Sequence, residues 1–85
     1  MELRFLFKTI LVVIDSEKYL RFIGNRITEI RTSKGFTQYK LAKNLMMEQS
    51  NLARIEKGET NPTIKTLLKI CEVLEISLGE LIKEI

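Results

Sequence analysis

The chain of 85 residues contains no histidine and a single cysteine, Cys71. A zinc site or a cysteine–histidine nucleophile pair needs more of these residues, so both are close to excluded. The cysteine cannot form an internal disulfide, and its place in an apolar helical pattern predicts a buried structural thiol. Glycine-rich phosphate loops are absent as well. We therefore expect a protein that has no cofactor and is not an enzyme.

The chain also lacks a hydrophobic run long enough to span a bilayer. Its apolar N-terminal stretch is interrupted by Arg4 and Lys8, and no small-residue cleavage site follows it. A cytoplasmic protein with no membrane contact is the expectation. The length allows one domain, and a chain this small buries a modest fraction of its surface, so dimerisation would give useful support.

The net charge of +3 is unevenly distributed along the chain. Residues 21–61 hold eight basic and four acidic residues, whereas residues 1–20 are balanced and residues 62–85 have one acidic residue in excess. A positive excess of this kind is typical of a surface that binds a polyanion, although a solvated mixed-charge surface would have a similar composition.

Two short helices joined by a tight turn are predicted within residues 37–58. Thr37 begins the first helix, the second begins near Glu48, and Gly58 ends it because glycine adopts positive φ easily. Apolar residues line one side of each helix: Leu41, Ala42, Leu45, Leu52 and Ile55. The other faces are polar: Gln38, Lys40, Lys43, Gln49, Ser50, Asn51, Arg54 and Lys57. A helix pair with amides and a guanidinium on its second member suits a DNA major groove.

Residues 3–14 fit two periodicities. A helix would place six apolar residues on one stripe: Leu3, Leu6, Phe7, Ile10, Leu11 and Ile14. The density of β-branched residues favours a strand instead, and periodicity cannot decide over so short a segment. A lone strand has no partner within a helical domain, so we expect residues 1–15 to form a dimerisation arm that pairs with a second chain.

The remaining helices are predicted from N-cap residues and from apolar residues at helical spacing. Asp15 or Ser16 caps a helix that runs to about Ser33, and Gly24 within it permits a close helix contact. Thr63 caps a fourth helix and Ser77 a fifth. The apolar stripe of the fourth helix is Ile64, Leu67, Leu68, Cys71 and Leu74.

Residues 22–82 resemble the phage-repressor and Cro-like (Xre-type) helix-turn-helix DNA-binding proteins. The motifs that carry the resemblance are Arg31 before Gly35, Thr37-Gln38, Leu41-Ala42, Arg54-Ile55-Glu56-x-Gly58, Asn61-Pro62, and Leu67-Leu68 followed by Leu74, Ser77 and Leu81. The resemblance implies an all-α, five-helix repressor-like domain over residues 16–85. It implies a transcriptional regulator, such as a repressor, that binds a pseudo-palindromic operator as a homodimer. A phage repressor, a restriction–modification controller and an autoregulating antitoxin all fit this size.

The resemblance also implies roles for individual residues. The recognition helix, at about residues 48–57, would contact bases through Gln49, Ser50, Asn51 and Arg54, with Asn51 turned partly inward. Arg54 has the alternative of a salt bridge to a neighbouring glutamate. DNA phosphates would be contacted by Gln38, Lys40, Lys43, Lys57, Thr60 and Asn61. Arg31 and Glu56 would form a largely buried structural ion pair.

Two positions depart from the family pattern. Met46 stands in the turn where the family usually has glycine, so we expect either strained backbone or a different turn. Glu48 stands where serine or threonine is preferred; it is a poor N-cap, although its charge suits the helix dipole. Its carboxylate either repels a phosphate or accepts a hydrogen bond from a cytosine amino group.

A function of a different class remains open, which is a protein-interaction module such as a toxin-binding antitoxin with incidental DNA binding. Residues 1–14 would then be added to the partner as a strand or a helix. The amide and arginine face of the third helix argues against this reading, because interaction surfaces favour apolar and aromatic anchors.

Overall fold

The computed structural model describes the backbone of residues 2–83 and the side chains of residues 16–83. Its five helices are α1 (Glu2–Ser33), α2 (Gln38–Asn44), α3 (Gln49–Glu56), α4 (Ile64–Leu74) and α5 (Leu78–Ile82). The backbone described contains no strand, which confirms the prediction of an all-α, five-helix fold. None of the helices in the described range is both long and apolar enough to cross a membrane.

The first helix is longer than predicted. It begins at Glu2 and runs unbroken for 32 residues, so the preference for a strand over residues 3–14 is wrong. The predicted helix start at Asp15 or Ser16 is wrong for the same reason. Residues 2–23 contain neither glycine nor proline, and propagation of a formed helix adds a hydrogen bond for each further residue. The side chains of residues 1–15 lie outside the described part, so the dimerisation arm stays a prediction.

Three helices begin with the predicted caps. The hydroxyls of Thr37, Thr63 and Ser77 each accept a hydrogen bond from the backbone N–H three residues further on. A cap of this kind stabilises a helix by about 1 kcal/mol. The boundaries of α2, α4 and α5 therefore follow from local sequence.

The core consists of buried apolar side chains from all five helices: Ile27, Leu41, Ala42, Leu45, Leu52, Ile55, Leu67, Ile70, Cys71, Leu74 and Leu81. The predicted stripe of α4 is partly wrong, since Ile64 and Leu68 are exposed and Ile70 is fully buried. At 100° per residue, Ile64 and Leu68 lie about 70° and 110° from the centre of the buried stripe. Burial raises the pKa of the Cys71 thiol, as expected for a structural cysteine.

α1 crosses closely over the C-terminal end of α3. A Cβ at Gly24 would lie 2.4 Å from the carbonyl oxygen of Glu56 and 2.5 Å from that of Ile55. A Cβ at Gly58, whose φ is +74°, would lie 2.7 Å from the Cα of Arg21. The close contact predicted at Gly24 is therefore present, and it fixes the position of α3.

The far end of the domain is held by a side chain of α1. The guanidinium of Arg26 donates to the carbonyl oxygen of Glu80 at 2.8 Å and to that of Leu81 at 3.4 Å. These carbonyls lie in the last turn of α5, where backbone acceptors lack partners within the helix. α1 therefore contacts both the C-terminal end of α3 and the end of α5.

Candidate nucleic-acid interface

The turn between α2 and α3 is tight and strained. Met46 adopts a φ of +57° and its side chain is 94% exposed. The backbone N–H of Met47 donates to the carbonyl of Ala42 at 3.0 Å, which closes the turn. Strained backbone and a different turn were the two alternatives expected at Met46, and the chain adopts the strained backbone. This φ lies in the left-handed region, which costs a non-glycine residue about 1–2 kcal/mol.

The N-terminal end of α3 is polar and uncapped. Glu48 occupies the N-cap position in extended conformation, but its side chain makes no capping hydrogen bond. Gln49, Ser50 and Asn51 follow it in the first turn, and all three side chains are exposed. Asn51 is therefore not turned inward as expected. The backbone N–H of Asn51 donates to the carbonyl oxygen of Glu48 at 3.0 Å. The N–H groups of Gln49 and Ser50 have no partner within the described residues, which leaves them open to an incoming acceptor.

Arg54 lies one turn further along the exposed side of α3. Its Nη2 donates a hydrogen bond to the Oδ1 of Asn51. No ion pair joins Arg54 to a glutamate within residues 16–83, so the salt-bridge alternative is not what the structure contains. The amide of Asn51 holds the guanidinium along the surface of the recognition helix, beside the other predicted base contacts.

A chain of hydrogen bonds connects the core to the start of α3. The Nε and Nη2 of Arg31 contact the two carboxylate oxygens of Glu56 at 2.6 and 3.1 Å. The side chains of this pair are only 11% and 5% exposed. Gln38 donates from Nε2 to the Oε1 of Glu56 at 2.9 Å, and Gln49 donates from Nε2 to the Oε1 of Gln38 at 3.3 Å.

This hydrogen-bond network leaves none of its buried groups without a partner. The Nη1 of Arg31 donates to the carbonyl of Phe36 at 3.0 Å. Every buried side-chain nitrogen and oxygen in the described part has a hydrogen-bond partner. Because a buried pair is stable only when its remaining donors and acceptors are satisfied, the network fixes the junction of α1, α2 and α3.

The predicted phosphate contacts have different environments. Gln38 and Thr60 are half-buried, whereas Lys40, Lys43, Lys57 and Asn61 are exposed. The ammonium of Lys40 lies 6.0 Å from the ring centre of Phe36. Lys43 and Lys57 make no ion pair or side-chain hydrogen bond within residues 16–83, which leaves their charges available to a ligand.

Tyr39 belongs to this surface and was not predicted. Its side chain is 62% exposed. It lines an open cleft of about 340 Å³ between α2 and the start of α3, together with Ala42, Lys43, Met47, Glu48 and Gln49. The sequence contained a usable signal, because Tyr39 lies outside the apolar stripe of α2 and directly follows Gln38. An aromatic ring with a polar tip at this place can pack against a sugar and donate to a phosphate.

Comparison with known proteins defines the class. A family model described as helix-turn-helix matches residues 27–81, which include all of α2, α3 and α4. The chain belongs to this helix-turn-helix family. The matched region begins within α1, so residues 2–26 of that helix lie outside it.

Individual relatives fall within the same class. The chain is 38% identical over 63 residues to the HTH-type transcriptional regulator SinR of Bacillus subtilis (strain 168), covering 73% of this chain and 57% of SinR. It is 32% identical over 56 residues to the antitoxin HipB of Escherichia coli (strain K12), covering 66% of this chain and 64% of HipB. The chain spans little more than half the length of the first curated relatives it matches.

A solved structure also superimposes on the domain. The restriction-modification controller protein C.AhdI from Aeromonas hydrophila matches with a TM-score of 0.70 and 34% identity, covering 73% of this chain and 94% of that one. The resemblance to helix-turn-helix proteins is thus confirmed by sequence and by fold.

Proposed function

We propose that this protein is a sequence-specific DNA-binding transcriptional regulator that places α3 in the major groove. The observation that carries the proposal is the exposed row of amides and guanidinium along α3, on a helix whose opposite end is locked to α1. Amide and guanidinium groups are the side chains that read base edges bidentately. The helix-turn-helix family membership supports the same function.

The roles divide between α3 and its surroundings. Gln49, Ser50, Asn51 and Arg54 contact bases, Gln49 being suited to adenine and Arg54 to guanine. Phosphates are contacted around them by Gln38, Lys40, Lys43, Lys57, Thr60 and Asn61. The engagement of Gln38 with Glu56 and Gln49 is compatible with this role, because the second N–H of its amide remains available.

Binding isotherms of single variants test this division. Arg54→Ala should cost about 1–3 kcal/mol on a selected operator and much less on random DNA, because a base contact carries discrimination. Lys43→Ala should weaken binding to both DNAs alike, since a phosphate contact carries none. Lys69→Ala removes the same charge from the exposed side of α4 and is the matched control.

All isotherms need the same salt concentration, because phosphate affinity falls steeply with salt. Equal losses on both DNAs for Arg54→Ala and Lys43→Ala would contradict the assignment of α3 as the reading helix. Unchanged binding in both variants would contradict DNA binding through this surface.

The regulator acts as a homodimer on a pseudo-palindromic operator, with residues 1–15 as the dimerisation arm and residues 16–85 as the DNA-binding domain. Helix-turn-helix dimers read half-sites one turn apart, at about 34–36 Å. The support for the arm is its apolar sequence and the extension of α1 to Glu2, beyond the family match. No break in α1 separates arm from domain.

Sedimentation of the full chain compared with a chain that begins at Ser16 tests the arm. We expect the full chain to dimerise and the shortened chain to be monomeric at the same concentration, because the apolar residues of the arm are then missing. The double substitution Ile64→Ser and Leu68→Ser on the exposed face of α4 is the control and should leave dimerisation unchanged. Equal association in the full and shortened chains would overturn the proposal that residues 1–15 form a dimerisation arm.

An antitoxin that binds a toxin is the second candidate, favoured by the likeness to HipB. Antitoxin and regulator are compatible if the protein represses its own operon. If DNA binding is incidental to toxin binding, Arg54→Ala should leave the affinity for every DNA unchanged. The binding isotherms described above test this.

A further inference from the structure

The side chain of Arg54 is directed towards the N-terminal half of α3. In a helix the Cα–Cβ bond is tilted towards the N-terminus, so a long side chain runs back over the preceding turn. Lys57, an exposed cation three residues later, repels the guanidinium from the C-terminal side. The guanidinium therefore lies beside Asn51, to whose Oδ1 its Nη2 donates.

Asn51 is a neutral acceptor for this guanidinium. The neighbours of Arg54 on the same helix face are Ser50, Asn51, Lys57 and Gly58. None of these four side chains carries a carboxylate, which would hold the guanidinium in a stronger, charge-assisted pair. An amide oxygen leaves the positive charge uncompensated. The side chain of Arg54 is thus held in place while its charge stays available to DNA.

The hydrogen bond to Asn51 leaves most donors of Arg54 free for a base. It takes up one N–H of Nη2, so the N–H of Nε, both of Nη1 and the second of Nη2 remain. Guanine presents two acceptors in the major groove, N7 and O6, whereas adenine presents an acceptor at N7 and a donor at N6. A guanidinium that is held in place cannot turn away from the N6 donor. It therefore discriminates between the two bases better than a mobile one.

We infer that Asn51 is a positioning residue for the recognition of guanine by Arg54. The inference rests on the proposed function, because it assumes that α3 enters the major groove. Ordering a long side chain before the complex forms lowers the entropy cost of binding. Asn51 keeps its Nδ2 hydrogens for a base contact of its own, while its Oδ1 determines the base preference at the position that Arg54 reads.

The experiment uses the full-length protein and a random-sequence pool of DNA duplexes. Sequences enriched by the unaltered protein are compared with those enriched by Arg54→Ala, and the position whose preference disappears is assigned to Arg54. Dissociation constants are then measured on two duplexes that carry G·C or A·T at that position and are otherwise identical. Low salt keeps weak complexes measurable. The readout is the ratio of the two constants, because a merely structural change would shift both alike.

For the unaltered protein we expect guanine to be preferred over adenine by roughly 5- to 150-fold. Asn51→Leu keeps the size of the side chain and removes the acceptor. The ratio should then fall at least about fivefold, which is the effect of losing one hydrogen bond of average strength. Asn25→Leu makes the same substitution at an exposed position of α1 and is the matched control. It should leave both constants and their ratio unchanged.

Asn51→Asp tests the acceptor by itself. It keeps an oxygen beside Arg54 and removes the Nδ2 hydrogens, so the ratio should stay within about twofold of the unaltered protein. Its negative charge should weaken binding to both duplexes, because DNA is a polyanion. Residue 51 is exposed, so thermal unfolding of both variants should match that of the unaltered protein.

Two results would contradict the positioning role. One is a ratio in Asn51→Leu that stays within about twofold of the unaltered protein. The other is an equal fall of the ratio in Asn51→Leu and Asn51→Asp, because the amide hydrogens and not the acceptor would then carry the preference.

The pool also separates the inference from the proposed function. If the unaltered protein enriches no sequence, the proposed function itself fails. If it enriches a motif in which Arg54 is assigned to no position, or to a base other than guanine, only the inference fails.

Discussion

The two ends of α3 are held in opposite ways. At its C-terminal end the backbone of α1 packs at Gly24 and Gly58, and the carboxylate of Glu56 is buried against Arg31. At its N-terminal end a strained Met46 precedes an uncapped Glu48, and the first-turn side chains are exposed. The C-terminal end of α3 is therefore fixed to the rest of the domain, whereas its N-terminal end presents exposed polar groups.

The first turn of α2 also differs from the first turn of α3. Thr37 caps α2 with its own hydroxyl, so the N-terminus of α2 is satisfied within the protein. The corresponding N–H groups of α3 have no such side-chain cap. Of these two helices only α2 has a side-chain cap, and the uncapped first turn of α3 is the one that carries the predicted base contacts.

The largest effect is expected from removing the anchor at the C-terminal end. Glu56→Ala leaves Arg31 buried without its partner, which should reduce the free energy of unfolding by roughly 3–5 kcal/mol. Glu59→Ala, an exposed glutamate three residues later, is the control and should change it by less than about 0.5 kcal/mol. Thermal or urea unfolding measures both. A small loss in Glu56→Ala would mean that the pair does not hold α3 to α1.

A smaller loss in the free energy of unfolding is expected from a substitution that pushes α1 and α3 apart. Gly24→Ala places a methyl group against the carbonyl oxygens of Glu56 and Ile55, and overpacking of this kind costs about 1–3 kcal/mol. Gly79→Ala in α5 adds the same methyl group where the nearest atom is 3.8 Å away, and should stabilise the helix by up to about 1 kcal/mol. Effects of the same sign in the two variants would contradict the close crossing of α1 over α3.

The smallest effect is expected at the N-terminal end of α3. Glu48→Ser supplies the missing cap and should raise the free energy of unfolding by about 0.5–1 kcal/mol. Glu75→Ser, at a position that begins no helix, should give no such gain. Urea unfolding compares the two. If Glu48→Ser adds nothing, the backbone N–H groups of this turn are already satisfied, and the contrast between the two ends of α3 is weaker than described.

Local signals predicted much of this fold. The caps at Thr37, Thr63 and Ser77 and the ends of α1 and α3 follow from residues that are neighbours in the chain. The helical state of residues 3–14 did not follow, because β-branched content and a helical stripe gave opposing signals. A close contact of α1 with another helix, by contrast, was predicted at Gly24, a glycine that a helix would not otherwise favour, and the structure identifies α3 as the partner.

The positions of the site residues were also predicted only in part. Gln49, Ser50 and Arg54 were predicted to lie on the exposed face of α3, and the structure places them there. Asn51 was expected to turn partly inward, but it is exposed, and its amide oxygen accepts a hydrogen bond from Arg54. Tyr39 was missed although it lies outside the apolar stripe of α2, and only the packing of α2 against the start of α3 shows the cleft that it lines.

The sequence alone determined the class of this protein through its motifs. It also determined the three side-chain caps at Thr37, Thr63 and Ser77 and the residue types that face solvent on α3, because these depend on contacts within a few residues. Only the tertiary structure decided which stripe of α4 is buried and how Gln38, Gln49 and Glu56 connect. Those three residues come from two helices and lie up to 18 positions apart. The direction of their hydrogen bonds follows from a carboxylate at one end, which no local pattern places beside an amide.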